Sequence, residues 1–286
     1  MEYGFSFKGP PVVTAVLVAL CFVLAAGAFY AISIANNVPL FISCILLIVG
    51  GIFFCIGLSQ WKLKRIIENT PTSTVRSLAM GLVEITGTVA KPFTTWLTSP
   101  FTRNPCTFYY AEIQELRRQG KRSEWVTLFK KNEWVAFYAK DKTGSVLVDP
   151  AGATIDSTAV YQTQTGLFSG VPIPIVEFCT KNNIGIRSWL GMSKTLKFTE
   201  KILPAKSKIY VLGTAKDNPH VKDGTAQQNS DDIMIQQDKR NPYYISDKSE
   251  KEVLTSFAWK VTACLAGGGT GIVAGIVLAV IGFGMG

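Results

Sequence analysis

Six cysteines and a single histidine are the side chains with the most chemistry to offer in this 286-residue chain. Cys21, Cys44, Cys55 and Cys264 fall in long apolar stretches, leaving Cys106 and Cys179 in polar sequence. There is no C-x-x-C pair, and one histidine cannot complete a zinc site of ordinary ligand spacing, so neither a metal nor a cofactor is expected. Cys106 and His220 are the only pair that could serve as nucleophile and base. Against that, Cys106 opens a strand-like run, the setting of a buried packing thiol, and His220 stands in a polar loop. Asp231 and Asp232 are adjacent, so neither a strand nor a helix aims both at one point, and they read as solvated loop acids. Gly267 to Gly271 imitates a phosphate loop but lacks the lysine and the preceding strand. No serine elbow, kinase set or dinucleotide fingerprint appears, so no catalytic residue is assigned.

The elements that must carry these residues begin at Gly81. Short runs rich in Val, Ile, Thr, Phe and Tyr alternate with Gly, Pro and Asn breaks, the pattern of strands with one buried face. Strands are expected over Gly81 to Val89, Cys106 to Leu116, Glu124 to Phe129, Trp134 to Ala139, Val146 to Asp149 and Lys208 to Thr214, with Tyr243 to Ile245 as the last. Lys140 to Gly144 is a hairpin turn, and Phe198 to Leu203 is a short strand or helix. Residues 92–105 and the polar stretch 217–237 read as loops, and Ser246-Asp247 as the cap of a helix through Glu250 and Glu252. The fold class is α+β: a β-rich, mostly antiparallel sheet or small barrel.

Apolar sequence flanks this core. Pro11 to Ala35 carries no charge and is long enough to cross a bilayer; Val38 to Leu58 follows after the Asn36-Asn37 turn and makes a hairpin of two spans. Ala26 to Ala28 imitates a signal-peptidase site, but the immediate second span favours an anchor. Residues 1–60 therefore form a transmembrane hairpin, 61–70 a juxtamembrane linker, 71–256 a soluble domain and 257–286 a third span. The linker either extends the second span or lies on lipid through Leu63, Ile66 and Ile67. Lys62, Lys64 and Arg65 follow an uncharged turn, so the positive-inside bias places residue 62 onward in the cytoplasm, with Trp61, Trp259 and Lys260 as interfacial anchors.

All of the Lys and Arg except Lys8 and Lys260 lie between Trp61 and Ser256, so nearly all of the +9 charge belongs to the soluble domain. That suits an anionic membrane or an acidic protein partner; without a long basic run, nucleic acid is not the expected partner. Residues 166–175 are apolar with two prolines, and either bury themselves in the domain or touch lipid. The membrane-surface candidates are Leu167, Phe168, Val171, Ile173 and Trp189. Gly267, Gly271 and Gly275 recur every fourth residue on one helix face, for packing against the other spans or for a homo-oligomer.

The order of motifs is itself distinctive. G-x-V is followed by SPFTRNPC-x-x-YY-x-E-x-x-E, a Trp-containing strand pair, VLVDPAGA, FTEKILPAKSKIYVLGTA and NPYYIS leading into a span. Over about Pro71 to Val261 this resembles the GIDE domain, also called BAM for "beside a membrane", known from mitochondrial-type E3 ubiquitin ligases. The matching positions are Cys106, Tyr110, Asp149, Pro150, Gly213, Tyr244, Ile245 and Ser246. The resemblance implies a module between membrane helices that recognises partners or substrates, whereas ubiquitin transfer in those ligases is carried by a C-terminal RING. No RING-like ligand set is present in this sequence, so a relative without its own transferase activity is expected, from a prokaryotic cell membrane, archaeal ones included. Three readings follow: a scaffold that recruits a protein partner, a ligase component working with a separate RING or conjugating protein, and a lipid sensor.

Overall fold

A computed structural model describes residues 38–119, 122–165, 171–186, 194–221 and 232–284. Its contacts divide the chain into two units, the long helices (up to Asn69 and from Leu254) and the domain Thr70–Val253. The first expected span, 11–35, lies outside the described residues.

The domain is built on a ring of five strands: β2 (Gly81–Pro92), β6 (Phe137–Lys140), β7 (Ser145–Val148), β12 (Ile233–Gln236) and β11 (Lys208–Asp217), which pairs back with β2. Every pairing in the ring is antiparallel except β7 with β12, where Leu147 faces Met234 and Val148 faces Ile235. A closed five-strand ring with one parallel pair has the arrangement of an OB barrel. Alternation puts Val83, Ile85, Val146, Val148, Ile209, Val211 and Ile235 inside, all buried. Closure leaves these strands few free edges, and β1 (Thr72–Ser73), β13 (Tyr244–Ser246) and β8 (Thr154–Asp156) extend the sheet.

Two long connections of the ring build a second sheet. The first carries β3 (Leu97–Thr98), β4 (Pro105–Gln119) and β5 (Arg122–Trp134); the second carries β9 (Val160–Thr165), the helix α2 (Ile173–Lys181) and β10 (Leu196–Pro204). They assemble in the order β5-β4-β10-β9, antiparallel throughout, with β3 on the start of β4. One face packs on Ile175 and Cys179 of α2, where Phe101, Phe129 and Phe178 meet edge to face at 5.2–5.4 Å. The expected sheet-or-barrel is thus both, and β12 lies inside the stretch expected to be loop. Residues 173–175, expected as loop, open a helix because Pro172 and Pro174 occupy its start, where a missing N–H costs nothing.

In the other unit, α1 (Val38–Asn69) and α3 (Glu250–Gly284) are both long and apolar enough to cross a membrane. The 61–70 linker is helical through Asn69, continuous with α1. The two helices run antiparallel: Gly57 adjoins Leu265, Gly50 adjoins Gly268 and Ile272, Leu47 adjoins Gly275, and Leu40 adjoins Gly282. Gly271 and Gly275 face α1, whereas Gly267 faces open space and Gly268 takes the contact. A four-residue step advances about 40° past a full turn, whereas a seven-residue step stays within about 20°. The seam accordingly follows Ser43, Gly50 and Gly57 against Gly268, Gly275 and Gly282, all buried. The cap of α3 is Ser249, not Ser246-Asp247: Ser249 N and Oγ donate to Glu252 Oε2, a capping box.

Candidate functional site

Cys106 sits at the start of β4, fully buried in the core of the inserted sheet, with its thiol 3.7 Å from the Leu97 carbonyl. Burial, reinforced by the Glu200 charge, pushes that thiol up to about 12, so it is no nucleophile at neutral pH. His220 is exposed, its ring 4.7 Å from that of Phe93. The nucleophile–base pair is therefore not assembled. Asp231 lies outside the described residues.

The acid that matters here is Glu200, which the sequence pattern hid. It is buried on the packed face of β10, and its carboxylate accepts the N–H groups of Phe101 (2.6 Å) and Thr102 (3.1 Å) and the Thr102 hydroxyl (2.5 Å). Ser99 closes the same loop by accepting Asn104 N–H at Oγ, 3.0 Å. Arg103, at φ 58, projects from the loop to pair with Glu177 of α2. The SPFTRNP motif is thus a loop folded on a buried carboxylate. Its signature was an acid at an inward position between Phe198 and Ile202.

The other motif positions fall into three places. Asp149 and Pro150 form a turn, with Asp149 Oδ1 accepting Ala151 N–H at 3.0 Å. That turn is tied to the barrel by the Tyr243 hydroxyl, which donates to Asp149 O at 2.6 Å. A Cβ on Gly213 would lie 2.7 Å from both the Tyr243 ring and Ile235, so Gly213 makes room for Tyr243, a hub absent from the expected set. Tyr244 and Ser246 converge instead on Asp156: Tyr244 OH donates to its carboxylate at 2.8 Å and Ser246 Oγ to its carbonyl at 2.7 Å. Lys248 reaches the same carboxylate at 2.8 Å. Ile245 pairs with Val211 in the barrel wall. These positions hold structure together.

Next to them lies a buried acid on the outer side of the barrel. Glu84 is fully buried, accepting from Tyr210 OH (2.8 Å) and Thr72 Oγ1 (2.9 Å). Burial raises its pKa above the ordinary 4.5; the two hydroxyls oppose this and Glu250 adds to it. A raised acid binds more protons folded than unfolded, so its favourable contribution is complete below pH 4.5 and is lost as the pH rises through the folded value. Glu84→Gln keeps the acceptor and removes the titration. Its melting temperature is expected to rise relative to wild type as the pH goes from acid to neutral; parallel pH profiles of the two proteins would disprove this.

Tyr110 points to the opposite face of the inserted sheet from Cys106's neighbours Tyr109 and Ala111. It donates to Glu112 (2.9 Å) and lies under Lys130, 5.7 Å from its ring. On the same face Lys197 stands 5.9 Å over Trp125, and Gln114 and Thr127 both donate to Glu112. Thr199 and Lys201 of β10 and Gln162 and Gln164 of β9 complete it by register. These side chains are half-buried or exposed; Tyr110 packs in part on the barrel core, and the face is accessible beyond it, from Glu112 to Trp125. Of the membrane-surface candidates, Leu167, Phe168 and Trp189 lie outside the described residues. Val171 packs partly on the inserted-sheet core, and Ile173 is 74% exposed on α2.

Among the described residues no three His, Cys, Asp or Glu side chains converge to hold a metal ion. No curated protein and no solved structure matches the chain. The family model of GIDE, described as E3 ubiquitin ligase, matches residues 109–280, from within β4 through four of the five barrel strands and well into α3. Because that match spans more than half of the sequence and takes in both sheets, the chain belongs to the GIDE family.

Proposed function

We propose that this is a membrane-anchored GIDE-family scaffold that recruits a protein partner through the open face of its inserted sheet. The observation that carries the reading is the pairing on that face of half-buried rings with lysines, Trp125 with Lys197 and Tyr110 with Lys130. Trp and Tyr are among the residues that dominate protein interfaces, and the lysines beside them add charge for steering a partner. Lys130, Lys197 and Lys201 against Glu112 favour an acidic partner surface. The helices α1 and α3 act as membrane spans, and the charges after α1's apolar stretch orient the domain to the cytoplasm.

The family description supports a second reading, in which a separate RING or conjugating protein docks on this face and the pair forms a ligase. One experiment addresses both: crosslinking and mild-detergent purification of the full chain from its native membranes, with Trp125→Ala beside wild type. A stoichiometric partner crosslinked to β4, β5 or β10 and reduced about tenfold or more by Trp125→Ala is expected. If that partner carries a RING or conjugates a ubiquitin-like protein, the ligase reading holds. A partner equally retained by Trp125→Ala would remove the face from the proposal.

A further inference from the structure

We infer that a groove at the end of the domain where the chain leaves for both long helices binds the phosphates of anionic phospholipid headgroups. The groove is lined by β1, the β6–β7 turn, the start of β11 and residues 247–252. Thr72 in its lining is three residues from the end of α1, and the first residues of α3, Glu250 to Glu252, line it too. The inference rests on the reading of these helices as spans, which brings the groove to a lipid surface by connectivity alone. Its cavity volume of about 1330 Å³ exceeds that of small-ligand pockets, roughly 300–1,000 Å³, and suits a headgroup layer.

The charges in the groove are unequal in availability. Lys140, Lys142 and Lys208 are exposed, and none takes part in the ion pairs found among the described residues. Asp141, between two of them, accepts the N–H groups of Val75 (2.9 Å), Thr143 (2.6 Å) and Gly144 (2.9 Å). Asp247 is turned onto Thr158 N–H at 2.8 Å, and Glu252 is held in the Ser249 cap. Glu250 faces Thr72 Oγ1 at 3.4 Å. The acids thus each hold a hydrogen bond within the domain, Glu252 at the surface, while three lysines are left for an external anion. Tethering raises the effective lipid concentration, so individually weak lysine–phosphate contacts suffice.

The test uses the full chain in phosphatidylcholine vesicles with and without phosphatidylglycerol, and a photoactivatable phosphatidylglycerol whose adducts are mapped by mass spectrometry. Adducts on 140–143, 208 and 248–251 are expected. Each lysine is worth about fivefold in binding, so Lys140→Gln/Lys142→Gln/Lys208→Gln should cut labelling on the order of a hundredfold. Labelling unchanged in the triple variant, equal labelling by a phosphatidylcholine probe, or equal competition by inorganic phosphate would each overturn the inference. Flotation of wild type and variant with pure phosphatidylcholine vesicles reads the spans separately: chains that fail to float refute the anchor, not the lysines.

Discussion

Glu200→Ala is expected to destabilise the domain by about 3–5 kcal/mol, the cost of leaving buried donors without their charged acceptor. The Phe101 and Thr102 N–H groups both lose their partner, and Phe101 itself is buried against Phe178 and Phe198. For a domain of this size the melting temperature should fall on the order of 10 °C, read from the tryptophan fluorescence of the full chain in mild detergent. Glu200→Gln retains one acceptor but turns an amide NH₂ toward the second donor, so it should fall between the two. A shift under about 2 °C for Glu200→Ala would show that the loop finds other acceptors.

The second large effect is in the helix pair. A Cβ at Gly268 would lie 2.6 Å from Phe54 N and 2.8 Å from the Gly50 carbonyl, both backbone atoms that no side-chain motion can clear. Replacing Gly by Leu gains up to about 1 kcal/mol in helix propensity, but overpacking against backbone costs about 1–3 kcal/mol or more and also separates the helices along their seam. Gly268→Leu should therefore lower the yield of monodisperse protein and its melting temperature. Gly267→Leu, one residue away and facing open space, should leave both unchanged or raise stability by up to about 1 kcal/mol. Equal behaviour of the two variants would refute the seven-residue seam.

The choice of Gly267 shows where sequence reasoning stops. Spacing of four marks small residues near one helix face, but the contact line depends on how two helices cross, which neither helix's own sequence contains. The same holds for Cys106, whose alternation showed a strand while its depth comes from α2 and Glu200 arriving from distant sequence. Tyr243 and Tyr244 look alike in sequence, and only the Gly213 gap and the Asp149 carbonyl separate their roles. β12 was hidden because only Ile233, Met234 and Ile235 break a polar stretch, and their burial depends on a parallel partner far away in the chain.

Local pattern was enough for the rest. Period-two alternation marked β2, β4 and β11, charge-free length marked α1 and the apolar part of α3, and the order of motifs pointed to the GIDE family. These follow from the sequence alone because side-chain periodicity and hydropathy act over a few residues. Tertiary structure alone decided that two insertions pair into one sheet, that a parallel contact closes the barrel, and which acids turn inward, because each depends on partners brought together only when the core closes.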